Sequence, residues 1–192
     1  MFKTILFGLS VSVASTLAFS NISVAQTNDA SALSAEQLED LFKKQKTRGL
    51  VLAPTNVEDN TAVEAETTVK PTQETYVELA PEEQVQIQIS FDFDSAALRT
   101  DQKPKLATLC SVMKSTDIGV FRIVGHTDTS GSAAYNERLS LLRAQEVKRF
   151  LVNDCGVTDD RLQAVGVGEA FPLDKNDPRA DVNRRVEFQA LS

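Results

Sequence analysis

The chain has 192 residues, a formal charge of −7 and a pI near 4.8. That length allows one ordinary domain plus extras. The acidic balance argues against a nucleic-acid partner, because phosphate binding needs a basic face, and it weighs against anionic membrane surfaces.

Residues 1–25 read as a secretory signal peptide. Lys3 gives a short positive start, residues 5–19 are apolar, and Ser23 and Ala25 are small residues at the two positions that signal peptidase reads. Cleavage is expected between Ala25 and Gln26. The alternative is an uncleaved anchor, which reaches spanning length only if residues 20–23 are counted. No cysteine follows the cleavage site to carry a lipid. The expected location is the periplasm, with association to the outer membrane left open.

Residues 26–84 form a distinct N-terminal extension. Ser34-x-x-Gln37 is a capping-box pattern, and Leu38, Leu41 and Phe42 recur at helical spacing behind it. A short helix over 35–46 follows. A helix that short is marginal alone in water, so it reads as a surface element, with a docking peptide as the alternative. Residues 46–52 offer a short strand. Residues 54–83 hold eight acidic residues and one lysine among Thr, Val and Pro, the composition of an extended, solvated tether.

The folded domain is expected over 85–192. Val85, Ile87, Ile89 and Phe91 alternate with polar residues, as in a strand with one buried face. Thr100 or Asp101 can cap a helix with Leu106, Leu109, Cys110 and Met113 inward, and Pro104 fits only its first turn. Residues 119–125 read as a strand. Residues 132–152 read as a helix with Leu139, Leu142, Val147, Phe150 and Leu151 inward, stopped by Gly156. Strands over 161–167 and 185–190 flank a loop rich in Asp, Pro and Asn. The order β-α-β-α-β-β predicts an α+β two-layer sandwich, one mixed sheet with helices on one face. Cys110 and Cys155 are an even pair in an exported chain, which favours a disulfide over two separate buried thiols.

The stretch Gly125-His-Thr-Asp128, then Gly131, then Arg143 carries the chemistry. Asp128 stands where a strand ends, and ligands of such sheets sit beyond the carboxyl ends of strands. A carboxylate there suits a ligand ammonium, and an arginine fork suits a carboxylate. Together they suit the head of a free amino acid. Arg143 lies about 16 Å along a helix begun at Ser132, at ~1.5 Å per residue. The two can share a ligand if the helix lies back across the strand ends, or if it breaks near Ser140, which could act as a second N-cap.

G125-H-T-D-x-x-G-x-x-x-Y-N-x-x-L-S-x-x-R-A-x-x-V147 resembles the signature of the OmpA-like, peptidoglycan-associated domain family. Phe91-Asp-Phe-Asp-Ser-x-x-Leu98 and Asn183-Arg-Arg-Val-Glu187 resemble the same family. The likeness covers about residues 85–190. It implies non-covalent binding to peptidoglycan through the meso-diaminopimelate of the stem peptide, in a protein that is no enzyme and carries no cofactor. Asp128 would hold the ammonium and Arg143 the carboxylate. Asp92, Thr127, Asn136, Leu139 and Arg184 would line or brace the site. The extension over 26–84 cannot supply the β-barrel of outer-membrane members, and the lipidated cysteine of lipoprotein members is missing. The chain thus resembles a soluble periplasmic member, with peptidoglycan as its partner. A scaffold whose extension docks an envelope protein is the alternative.

Weaker signals point to structure. His126 is the only histidine and reads as a turn brace rather than a metal ligand. Asp174-x-Asn176-Asp177 lacks the glycine and closing glutamate of a calcium loop. Arg184 and Arg185 should face opposite sides of the sheet.

Overall fold

A computed structural model describes residues 28–47, 76–92 and 95–191. The expected signal peptide, most of the acidic tether and residues 48–52 of the expected strand lie outside this range. The last two described residues before the gap, Lys46 and Thr47, close a helix.

The elements follow in chain order as β1 (Asn28–Asp29), α1 (Ala35–Thr47), β2 (Val85–Ile87), α2 (Ala107–Ser115), β3 (Phe121–Gly125), α3 (Ala133–Asn153), β4 (Leu162–Gly166) and β5 (Val186–Ala190). The five strands make one mixed sheet in the order β1-β2-β5-β3-β4. β1 and β2 are parallel, as are β3 and β4, and β5 runs antiparallel between β2 and β3. The α+β sandwich expected from the element order is the fold observed. The helices contribute to one core with Val85, Ile87, Phe121, Ile123, Val186, Phe188 and Ala190. A Cys110–Cys155 disulfide, with Cα atoms 5.6 Å apart, joins α2 to the turn after α3.

The N-terminal helix corrects the reading of a marginal surface element. Its capping box forms: Ser34 N donates to Gln37 Oε1 at 3.0 Å, and Gln37 N donates to Ser34 Oγ at 3.3 Å. Leu38 and Phe42 are fully buried in the main core, and the Phe42 ring meets Phe121 edge-on at 5.0 Å. Ala190 N donates to Gln45 Oε1 at 2.8 Å, which binds the helix to the end of β5. The apolar face of α1 is therefore occupied by its own domain. β1 was not expected at all. It pairs only Asn28 and Asp29 with Val85 and Gln86, too short a match for any periodicity to register.

The sheet also departs from the one-buried-face pattern. Glu187 and Gln189 are fully buried. A second small cluster of Tyr76, Val124, Val165 and Val167, with Phe171 against it, covers the face away from the helices. Tyr76 OH donates to Glu187 Oε2 at 2.9 Å, and Gln189 Nε2 donates to Val77 O at 2.8 Å. The end of the expected tether is thus packed on the sheet rather than solvated.

Other boundaries shift. Strand pairing of β2 stops at Ile87 rather than near Phe91. Thr100–Leu106 is a 3₁₀ segment holding Pro104, and its N-cap is Arg99, not Thr100 or Asp101. The α-helical ladder begins only after it, beyond the residue that lacks a donor. On α3 the buried line is Asn136, Ser140, Ala144, Val147, Phe150 and Leu151. Leu142 falls on the other side and is 45% exposed, which corrects the inward stripe. Among the described residues no helix is long and apolar enough to cross a membrane.

Candidate functional site

Two glycines set the position of α3. A Cβ added to Gly125 at the end of β3 would stand 2.1 Å from Ser140 O, and one on Gly166 at the end of β4 would stand 2.3 Å from Leu141 N. Only bare backbone lets the middle of α3 sit on the ends of these strands. Ser140 seals the crossing: its Oγ donates to Glu137 O at 2.8 Å and accepts from Gly168 N at 2.9 Å. Ser132 is the N-cap, and α3 continues unbroken through Ser140. Of the two routes open to the sequence, the helix takes the one across the strand ends. Arg143 therefore lies three residues past the crossing, at the rim of the sheet.

Asp128 follows β3 and is buried. Its Oδ1 accepts from Ser130 N at 2.8 Å, and its Oδ2 accepts from Arg184 Nη1 at 2.6 Å. Burial pushes this carboxyl up. The Arg184 guanidinium and the Ser130 N–H outweigh burial and hold it below the usual aspartate value. Arg184 also reaches Asp181 through Nη2. Asn136, buried in the first turn of α3, donates through Nδ2 to Asp128 O at 3.1 Å and to Glu169 Oε2. Thr127 N donates to Gly168 O at 2.9 Å, and its buried Oγ1 has no hydrogen-bond partner among the described residues.

Arg143 lies over the Phe91 ring, its Cζ 4.6 Å from the centroid, and its Nε donates to Ser95 O at 3.3 Å. Burial lowers its basicity, and the charges of Asp128 and Arg184 both act on it. No carboxylate among the described residues forms an ion pair with it. Arg143, Arg184, Phe91, Lys105 and Asp181 border one pocket of about 250 Å³. Asp128 meets this pocket through Arg184 rather than as part of its wall.

Among the residues expected at the site, Asp128, Asn136 and Arg184 are joined by hydrogen bonds through Asp128, while Arg143 and Arg184 share the pocket. Leu139 stands half-buried one turn before Arg143. Asp92 is exposed and paired with Arg99 at 3.2 Å rather than with Arg143. The sequence reading missed Asp181, Lys105 and the role of Phe91. Phe91 belongs to the quoted upstream motif, but its alternation had assigned it to a buried strand face. His126 braces the strand end: its Nε2 lies 3.1 Å from Glu187 Oε2 and its ring packs against Tyr76. Asp174 Oδ1 accepts from the amides of Asn176 and Asp177, the bonding of a self-closed turn.

A sequence profile described as the OmpA family matches residues 90–185, half of the chain. The chain belongs to the OmpA family. Outer membrane porin F of Pseudomonas aeruginosa is 39% identical over 108 residues, which are 55% of this chain and 31% of that protein. Outer membrane protein A of Bordetella avium is 35% identical over 104 residues, 53% of each chain. This OmpA-family chain spans about a third of the length of the first curated relatives it matches. Among solved structures, the peptidoglycan-associated lipoprotein of Burkholderia pseudomallei is 30% identical, with 53% of this chain and 86% of that chain covered and a TM-score of 0.45.

Proposed function

We propose that the site takes the free amino-acid head of a diaminopimelate stem peptide, and so fastens the protein to the cell wall without a covalent bond. The observation that carries this reading is Arg143. Its guanidinium is half-buried, oriented by the Phe91 ring and Ser95 O, and left without a carboxylate among the described residues beside an open pocket. A planar fork so held calls for a planar anion.

The ligand carboxylate lies on Arg143 in this proposal, and its ammonium meets Asp128. An ionised carboxylate offers about four lone-pair sites. Ser130 N and Arg184 take one each, so the ammonium can share the rest. Arg184, anchored on Asp181, links the Asp128 carboxylate to the edge of the pocket. The role is binding, and nothing in it requires a nucleophile or a metal. We place this binding in the periplasm, by the domain that starts near Val85 and is completed by α1 and β1. The motif over residues 125–147 supports the reading through its likeness to domains that bind peptidoglycan.

The test is co-sedimentation of the secreted protein with diaminopimelate-type sacculi, in competition with free meso-diaminopimelate. Asp128→Ala and Arg143→Ala should each weaken binding by roughly 10- to 150-fold, the scale of a lost hydrogen bond to a charged group at about 1.5–3 kcal/mol. Full binding retained by both variants refutes the assignment.

A further inference from the structure

The face of the sheet away from the helices holds a second cavity, of about 610 Å³. That is the size of ordinary small-molecule sites, which run to about 300–1,000 Å³. It lies between β2, the chain around Pro81 and the loop over 173–182. None of the roles assigned above uses it.

Arg185 lines this cavity and is only 4% exposed. Buried guanidinium groups are ordinarily matched to acceptors, because stranding their N–H groups is costly. Arg185 is poorly matched. Its Nη1 and Nη2 both reach the same acceptor, Phe171 O, each at 3.4 Å. Its Nε is buried without a partner. The nearest carboxylate, Glu187, is 3.9 Å away. That carboxylate is already engaged: Oε2 accepts from Tyr76 OH and faces His126 Nε2, and Oε1 accepts from Gln189 Nε2 at 2.9 Å. Burial lowers the basicity of Arg185, and the Glu187 charge opposes this without cancelling it.

The remaining walls narrow the ligand class. Pro81, Leu173 and Val182 give an apolar side. Lys175 stands at the rim, exposed, with Glu78 3.6 Å away. The acids of the rim are bound locally: Asp29 Oδ1 accepts from Ser31 N and Oγ, and Asp174 Oδ1 accepts from Asn176 N and Asp177 N. Their charges disfavour a ligand with several negative groups.

We propose that this cavity is a second ligand site, for a small organic monocarboxylate whose acid group lies on the Arg185 fork and whose apolar body packs on Pro81, Leu173 and Val182. A carboxylate supplies two acceptors in one plane, which the single Phe171 carbonyl cannot. The site adjoins the Arg143 pocket at Gln88, which lines both, but contains neither Arg143 nor Arg184 and does not depend on the stem-peptide reading.

The test is a titration of the isotopically labelled secreted protein, followed by amide NMR, with hexanoate and with its uncharged counterpart hexanamide. Hexanoate should shift the Gln86, Leu173 and Arg185 amides in a saturable way, and hexanamide should leave them in place. Leu173→Trp, which fills the cavity from its rim, should abolish the response, as should Arg185→Gln. Arg143→Ala should leave it unchanged. The proposal is overturned if hexanoate moves none of these amides, if hexanamide moves them equally, or if Arg143→Ala removes the response.

Discussion

Asp128 and Arg184 are bound to each other at 2.6 Å before any ligand arrives. The aspartate presented by the strand end is therefore pre-oriented, and its charge is held by a residue distant in sequence. Arg184 is 40% exposed, but the Asp128 side chain is only 9% exposed, so the pair also keeps a buried carboxylate compensated.

Arg184→Gln should lower the stability measured by urea unfolding at neutral pH by roughly 1–3 kcal/mol. Only Ser130 would then oppose burial at Asp128, so its carboxyl should titrate at higher pH than in the wild type. Carboxyl carbon shifts across an acid titration read this directly. An unmoved Asp128 titration would show that Arg184 does not hold it.

Phe91→Leu keeps an apolar group under Arg143 but removes the ring face. A cation over an aromatic ring contributes about 0.5–2 kcal/mol. Affinity for free meso-diaminopimelate, measured by calorimetry, should fall by roughly 2- to 30-fold on that scale. The fold should persist, since Phe91 only borders the core.

His126 gives the protein a pH dependence with a definite sign. Its ring is fully buried beside Glu187, Tyr76 and Arg185. Burial and the Arg185 charge, opposed by Glu187, push its basicity below the ordinary value of 6.5. The unfolded chain then takes up a proton that the folded chain refuses. Stability is full above pH 6.5 and should fall as pH drops below it, by up to about 1.4 kcal/mol per pH unit. Urea unfolding at steps below pH 6.5 measures the slope, and His126→Gln should flatten it until the carboxylates begin to titrate.

Phe42→Ala tests the place of α1. Truncating a buried Phe costs about 3–5 kcal/mol. Thermal unfolding should show one transition at lower temperature, because the residue shares a core with Phe121 and Phe188. A melting point equal to wild type would mean that the helix is not part of the folding unit.

The helix-and-strand order of residues 85–190 was legible because each element repeats an apolar period several times. Ile123 and Phe121 alternate, and Val147, Leu151 and Phe150 return at helical intervals. The site was legible in its end points, Asp128 and Arg143, because a carboxylate and a guanidinium flank a glycine-bearing turn. The distance between them was not. It depends on Gly125 and Gly166, whose lack of a side chain registers only when another backbone is found 2–3 Å from where a Cβ would lie. The covering of Glu187 and Gln189 was hidden for a related reason. Polar residues on a strand read as solvent-facing unless the segment that covers them, here Tyr76 and Val77, is known to return across the sheet.

One feature of the sheet bears on mechanics. β1 enters the edge beside β2, with Ala30 N donating to Gln86 O at 2.8 Å just beyond the paired residues, and α1 follows at once. Tension applied ahead of Asn28 would therefore load that two-residue ladder in shear and then the seat of Leu38 and Phe42.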